Sequence, residues 1–334
     1  MNIDKNEQNV ITASFKNVLS TDIAVAEKAR TEIVQAIEQP LRKTLLTGDT
    51  IGGVYTPMDF TDNPNVEFQL DLLTPGQEKE FAAFTLPNVG RIPQAIVEGD
   101  YLRVPTYYVG NAIDTSLRFI RNANWPVIQR MLEVLEAGFR KKLNDDGWQV
   151  VLAAATDRNI VVADPNAAIG QLTPRLITLM STFMRRNGGG NSGTSGRSKL
   201  TDVFASPEAV MDIRSWGLDL IPDSQRQQYF NTGGDIDEIN VFGVKIHALD
   251  ELGEGQDYQS YYTTTLGGVM GASDVEIAVG LDLSRQNSFI MPIREDLQIV
   301  EDNTMHRKGL FSLYGRMELG FACLDSRCTL ISSM

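Results

Sequence analysis

"NWPVIQRMLEVLEAGFRKKLNDDGWQVVLAAA" runs from Asn124 to Ala155. Trp125, Ile128, Leu132, Leu135, Phe139 and Leu143 recur at steps of three and four, while Arg130, Glu133, Glu136, Arg140 and Lys141 fall mostly elsewhere. That spacing predicts one amphipathic helix. Asn124 supplies a capping group, and Pro126 sits in the first turn, where its missing N–H costs nothing. Unbroken, the helix would be about 45 Å long, enough to act as the spine of an elongated domain. Gly138 and Gly147 are its weak points, and the second is placed to bend or break it.

A second long element lies toward the C-terminus. From Phe311 to Cys323 the odd positions are mostly apolar (Phe311, Leu313, Met317, Leu319, Phe321, Cys323), and the even ones include Ser312, Tyr314, Arg316 and Glu318. Period two over this length predicts a strand of roughly 40 Å. "REDLQIVEDN" before it reads as an antiparallel partner that turns through "NTMHRKG". A long helix laid along such a hairpin makes a flat, extended layer.

The N-terminal side reads as reach rather than core. Residues 20–38 have helical spacing (Ile23, Ala26, Ile33, Ile37) and end at Pro40, after a polar stretch with few apolar anchors. "NVEFQLDLL" alternates as a strand, "TPGQEKEF" is a charged turn, and "EGDYLRVPTYYV" returns extended. Residues 58–104 therefore read either as a projecting hairpin-like loop or as two strands of a compact sheet.

Between these lies a block that reads as an inserted α/β unit, residues 173–255. A helix runs from Pro174 to Met184. In "KLTDVFASPEAVMDIRSWG" a short strand reaches Ala205, Ser206 caps a helix, Pro207 takes its first position, Glu208 suits its positive end, and Gly217 can close it. "INVFGVKIHAL" alternates Phe242, Val244, Ile246 and Ala248 as one strand. Within "RRNGGGNSGTSGRSK", Gly188 to Gly193 are spaced like a phosphate-binding loop. Thr194 stands where the lysine belongs, and the order is helix, loop, strand, the inverse of what phosphate binding at a helix N-terminus needs. The loop Gly188–Gly196 reads as a flexible tether.

Chemistry-bearing residues are sparse. His247 falls on the less apolar face of a strand and His306 in a turn; neither has a partner set in sequence. No G-x-S-x-G, H-E-x-x-H or C-x-x-C occurs. The acid clusters 144–147 and 234–238 lack the spacing of a calcium loop and read as solvated turns. Cys323 and Cys328 exclude a disulfide framework and, without a nearby histidine, do not make a zinc set; they read as reduced thiols, as in a cytoplasm. No catalytic residue, cofactor-binding residue or metal ligand is assigned, no cofactor is expected, and the reading is of a protein that is not an enzyme.

Thirty basic against 43 acidic residues in 334 give a net charge of −13. A dedicated nucleic-acid binder needs a basic stripe, whereas an acidic wall suits a container whose contents must not stick to it. No apolar run approaches the ~20 residues of a membrane helix, and the polar start "MNIDKNEQNV" shows no signal peptide.

Taken in order, these parts resemble the major capsid protein family of tailed bacteriophages, with the HK-ninety-seven-type shell fold that encapsulins also use. The resemblance rests on an N-terminal arm, the extended loop around "NVEFQLDLLTPGQEKEFAAF", the spine helix, the strand–helix "LTDVFASPEAVMDIRSWG", "INVFGVKIHALDELG", and the closing "MPIREDLQIVEDNTMHRKGLFSLYGRMELGFACLD". It implies an α+β fold with arm 1–57, extended β-hairpin loop 58–104, peripheral domain 105–172 with 256–334, and an inserted axial domain 173–255. It also implies an icosahedral virus head of hexamers and pentamers enclosing double-stranded DNA, found in the virion and built in a bacterial cytoplasm. Scaffolding, portal and decoration proteins are the further partners it implies, and no large scaffolding segment is seen ahead of the arm. Some members crosslink a loop lysine to a neighbour's asparagine with help from a glutamate. Lys79 in "GQEKEF" occupies such a position, with no assignable partner. An encapsulin-like compartment, and a cytosolic enzyme built on the central α/β block, stay open as alternatives.

Overall fold

The structure is a computed structural model and describes residues 28–29, 50–61, 65–69, 101–116, 118, 125–187, 198–216, 238–271, 274–285 and 288–334. Most of residues 1–57, read as an arm, residues 70–100 with Lys79, residues 188–197 and residues 217–237 lie outside them.

In chain order the elements are α1 (Thr50–Val54), β1 (Thr56–Asp59), β2 (Glu67–Gln69), β3 (Tyr101–Arg103), β4 (Tyr107–Ser116), α2 (Trp125–Arg158), β5 (Val161–Ala163), α3 (Pro174–Asn187), β6 (Asp202–Ala205), α4 (Pro207–Ser215), β7 (Glu238–Val241), β8 (Val244–Ala248), α5 (Asp257–Ser260), β9 (Ile277–Leu281), β10 (Phe289–Glu301), β11 (Leu310–Leu319), β12 (Ala322–Cys323) and β13 (Thr329–Ser333). Helices and sheets are both present, so the fold is α+β. The chain divides into two compact units. One comprises residues 1–68, 103–147 and 290–322, and the other residues 69–102, 148–289 and 323–334.

The first unit is a five-stranded sheet ordered β1-β10-β11-β4, with β12 on β10. β11 pairs antiparallel with β4 along its length, from Leu310 opposite Ser116 to Leu319 opposite Tyr107. β10 pairs antiparallel with β11 through two register shifts, and β1 joins it in parallel. The hairpin read from "REDLQIVEDN" and the following strand is therefore present, turned by a 3₁₀ segment at Asn303–Lys308. The strand read as reaching Cys323 stops at Leu319. Gly320 follows, where a side chain would stand 2.6 Å from the Pro105 carbonyl oxygen, and its N–H leaves the ladder for Pro292 O.

The spine helix α2 is continuous for 34 residues, about 51 Å. Leu132, Leu135, Phe139 and Leu143 are buried in the first unit, and Trp148, Val151, Leu152 and Ala155 in the second. Gly147 does not break it. Its carbonyl accepts the Tyr55 hydroxyl at 2.9 Å, and a Cβ there would stand 2.6 Å from Ile51 Cδ1, so the glycine is a docking slot for α1. Residues 144–147, read as a solvated turn, lie inside this helix, because its apolar face continues on both sides of them. Glu136, read with the polar face, is only 6% exposed and is held by Arg140 at 2.8 Å.

The second unit is a six-stranded sheet ordered β5-β13-β9-β6-β8-β7. β6, β9 and β13 are buried at every residue, as befits central strands covered on both faces. Helix α3 buries Leu176, Ile177, Met180 and Met184, and α4 adds Ala209, Val210 and Ile213 to the same core. The α4 start is as read: the Ser206 hydroxyl accepts Ala209 N–H at 3.1 Å and Pro207 takes the first turn. Its end falls at Ser215, where Trp216 Nε1 donates to Leu172 O at 3.0 Å. The unit extends beyond 173–255, since β5, β9 and β13 hydrogen-bond into the same sheet as β6 and β8.

"INVFGVKIHAL" is two strands. Phe242 (φ 52°) and Gly243 (φ 77°) both adopt left-handed conformations between antiparallel β7 and β8. Two such residues make the tight hairpin turn whose twist matches its flanking strands. Phe242 is consequently 52% exposed instead of facing the core.

Candidate assembly surface

Among the described residues no group of three or more histidine, cysteine, aspartate or glutamate side chains could hold a metal ion, and no helix is long and apolar enough to cross a membrane. Of the residues read for possible chemistry, His247, Cys323 and Cys328 have described surroundings. His247 on β8 meets Asp202 Oδ1 of β6 at 2.9 Å, and its ring stacks on Phe204 at 4.8 Å and 18°. It braces neighbouring parallel strands. His306 lies in the 3₁₀ segment between β10 and β11. Cys323 and Cys328 are free thiols. Burial pushes them up to about 12 and about 11, so at neutral pH neither supplies the thiolate that nucleophiles and metal ligands require. The loop Gly188–Gly196 follows α3 and precedes β6, the helix-to-strand order that does not serve a phosphate.

What the structure offers instead is exposed apolar surface. In the first unit, β4 closes one end of the sheet order. Tyr107 and Tyr108 point to opposite faces because strand side chains alternate, yet both stand out, Tyr108 at 68% exposure. Each phenol is anchored. Tyr107 donates to Asp146 Oδ2 at 2.6 Å, and Asp146 is in turn held by Lys142 at 2.7 Å. Burial and this carboxylate keep the Tyr107 phenol protonated well above its usual range. A hydrogen bond to Glu318 does the same for Tyr108. Glu318 is buried and accepts Thr106 Oγ1 at 2.6 Å and Arg294 Nη1 at 3.2 Å, with the Thr106 bond the main cause holding its carboxyl below the ordinary range. The exposed rings therefore sit on a fixed, hydrogen-bonded base, the kind of rigid amphipathic contact that interfaces favour.

β2 and β3 form a two-stranded ribbon, continued by Val104 N–H to Val66 O at 3.0 Å. Tyr101, at 65%, and Leu102 are exposed there. The second unit exposes Ile169, Phe183, Met211, Phe242 and Val269. Sequence reading missed these residues. A side chain on an edge strand or hairpin tip has the same local pattern as one in a core, and only the "YY" of Tyr107–Tyr108, which must show both faces of a strand, was a usable signal.

No family model matches this sequence, and no curated protein does either. Solved structures do match the fold. A protein of Microbacterium phage Oxtober96 aligns with 86% of this chain and 91% of its own at a TM-score of 0.56 and 10% identity. The asymmetric unit of the bacteriophage PhiM1 mature capsid aligns over 86% and 87% at 0.51 and 10% identity. The cyanophage Pam1 capsid asymmetric unit aligns over 84% and 88% at 0.51 and 9% identity. At such identities side-chain detail is not shared, but the path of the backbone is: this chain has the fold of phage capsid proteins, the HK-ninety-seven-type shell fold.

Proposed function

We propose that the chain is the structural subunit of an icosahedral phage head, self-assembling into hexamers and pentamers that enclose double-stranded DNA. The observation that carries this reading is the likeness of fold along about 86% of the chain, including to a mature phage capsid. The exposed aromatic residues on a hydrogen-bonded base support it. So does the net charge of −13, which lets DNA lie against the wall without sequence-specific binding. In this reading the unit around residues 173–255, with β5, β9 and β13 joined to its sheet, forms the axial domain at the five- and six-fold axes, and the unit that holds β4, β10 and β11 forms the peripheral domain that tiles the shell. The arm 1–57 and the loop 58–104 reach over neighbours. The subunit is structural rather than catalytic. It is made in a bacterial host's cytoplasm, ends in the virion, and meets scaffolding, portal and decoration proteins during assembly.

Electron microscopy of the purified full chain tests this. Closed shells, or rings of five and six that close on concentration, are expected. Small discrete oligomers under every assembly condition would overturn it. DNA inside shells from infected cells, rather than a co-purifying cargo protein, separates a virus head from an encapsulin-like compartment.

A further inference from the structure

Between α3 and the β7–β8 hairpin the second unit carries an open groove of about 670 Å³. Its lining includes Arg185 and Thr182 from α3, Ser198 and Lys199 ahead of β6, and Phe242 from the hairpin tip. Arg185 and Lys199 are both exposed, and the described lining contains no carboxylate. The Thr178, Ser181 and Thr182 hydroxyls spend their protons on Pro174 O, Ile177 O and Thr178 O at 3.0, 3.0 and 2.9 Å, which leaves the two cations and Ser198 as the side-chain donors of the described lining. Ser198 is 1% exposed and its hydroxyl has no partner among the described residues, an unusual state for a buried polar group. Phe242 is held in a left-handed conformation that bulky side chains rarely adopt, with its ring exposed beside the cations. Strained backbone of this sort persists where a site uses it.

We propose that this groove receives a carboxylate-bearing segment of a second copy of the chain. A cationic, aromatic-walled recess on a chain with 13 more acidic than basic residues is complementary to that chain's own surface. The donors suit a carboxylate: Arg185 presents a planar fork and Lys199 a mobile point charge. The Phe242 ring covers the stem of the incoming acid, and the hairpin turn fixes the ring in place. The inference rests on the shell reading, because only self-association puts a second copy at the groove.

The test uses shells assembled from equal amounts of unlabelled and ¹⁵N-labelled full-length chain. A carbodiimide joins lysine directly to neighbouring carboxylates, and mass spectrometry reads the joined peptides. Lys199 is expected to couple to an Asp or Glu peptide, with about half of the pairs mixing the two labels, and a Lys199→Ala chain to lose that coupling. An Arg185→Glu, Lys199→Glu chain is expected to keep the wild-type melting temperature and to lose shell yield by about tenfold or more. Coupling of Lys199 only within its own label would overturn the proposal. So would equal acetylation of Lys199 in shells and in dissociated subunits, or photo-crosslinking of the groove to packaged DNA. If no shell forms from wild-type chain, the shell reading itself fails and this inference with it. If shells form with the groove open, only the inference fails.

Discussion

The Phe139 ring occupies the space that Gly315 leaves empty: a Cβ on Gly315 would stand 2.8 Å from Phe139 Cε2. Phe139 is wholly buried, and Gly315 lies in the middle of β11 opposite Asn111. This contact seats the spine helix on the first sheet. Gly315→Ala is expected to destabilise the protein by about 1–3 kcal/mol through overpacking, read as a lower urea midpoint. Pairing it with Phe139→Leu is expected to cost less than the sum of the two single changes. Additive costs would place the ring elsewhere.

Phe242→Asn is expected to act in opposite directions on folding and assembly. Asn-Gly is the preferred pair for this turn, so relief of the left-handed phenylalanine stabilises the folded chain by about 0.5–1 kcal/mol. Loss of the ring weakens association. A higher thermal midpoint together with fewer shells is the expected pair of readings; a lower midpoint would contradict the turn.

Much of the second unit was legible because its signals are local. Ser206-Pro207 opens α4 with groups that act within three residues, and the α2 stripe repeats within a turn. The hairpin at Phe242 was not legible because a phenylalanine on an alternating apolar register looks like core, and Gly243, the residue that permits the turn, does not itself break period two. Gly315 left a gap in an otherwise apolar register, but what fills it comes from residue 139. Membership of β5, β9 and β13 in one sheet with β6 depends on pairings such as Ile331 with Val161 and Phe204 with Val279, which no window of sequence contains. The surface at Tyr108 and the groove at Lys199 are likewise products of packing.

Glu276→Gln is expected to flatten the pH dependence of stability in one direction. Burial, with Glu208, Asp212 and Glu254 nearby, holds the Glu276 carboxyl above its ordinary range, against the opposing bond from Ser206 at 2.5 Å. A raised carboxyl contributes most below its unfolded value of about 4.3 and loses that contribution as pH rises through the folded value. The glutamine variant should match wild type near pH 4 and exceed it at about pH 7. Denaturant midpoints across this range decide the matter, and parallel curves would refute it.

Glu318→Gln is expected to behave oppositely. Its folded value is depressed, chiefly by Thr106, so its contribution is present above about 4.3 and lost as pH falls through the folded value. The variant should be less stable than wild type at neutral pH, by about 1–2 kcal/mol for the charged hydrogen bonds weakened. That gap should narrow in acid. A gap that widens below pH 4 would show that the Thr106–Glu318–Arg294 cluster does not hold the carboxylate.

The pairing of β1 with β10, residue 56 beside residue 290, and of β4 with β11 sets a timetable for biosynthesis. Helix α2 can coil as soon as it leaves the ribosome, but the sheet it rests on cannot close until the chain beyond residue 310 has emerged. Contacts this distant in sequence form slowly and leave strand edges uncovered meanwhile. A nascent chain therefore spends most of its translation with its sticky surfaces bare among others on the same messenger, and the cell must keep those unfinished neighbours apart.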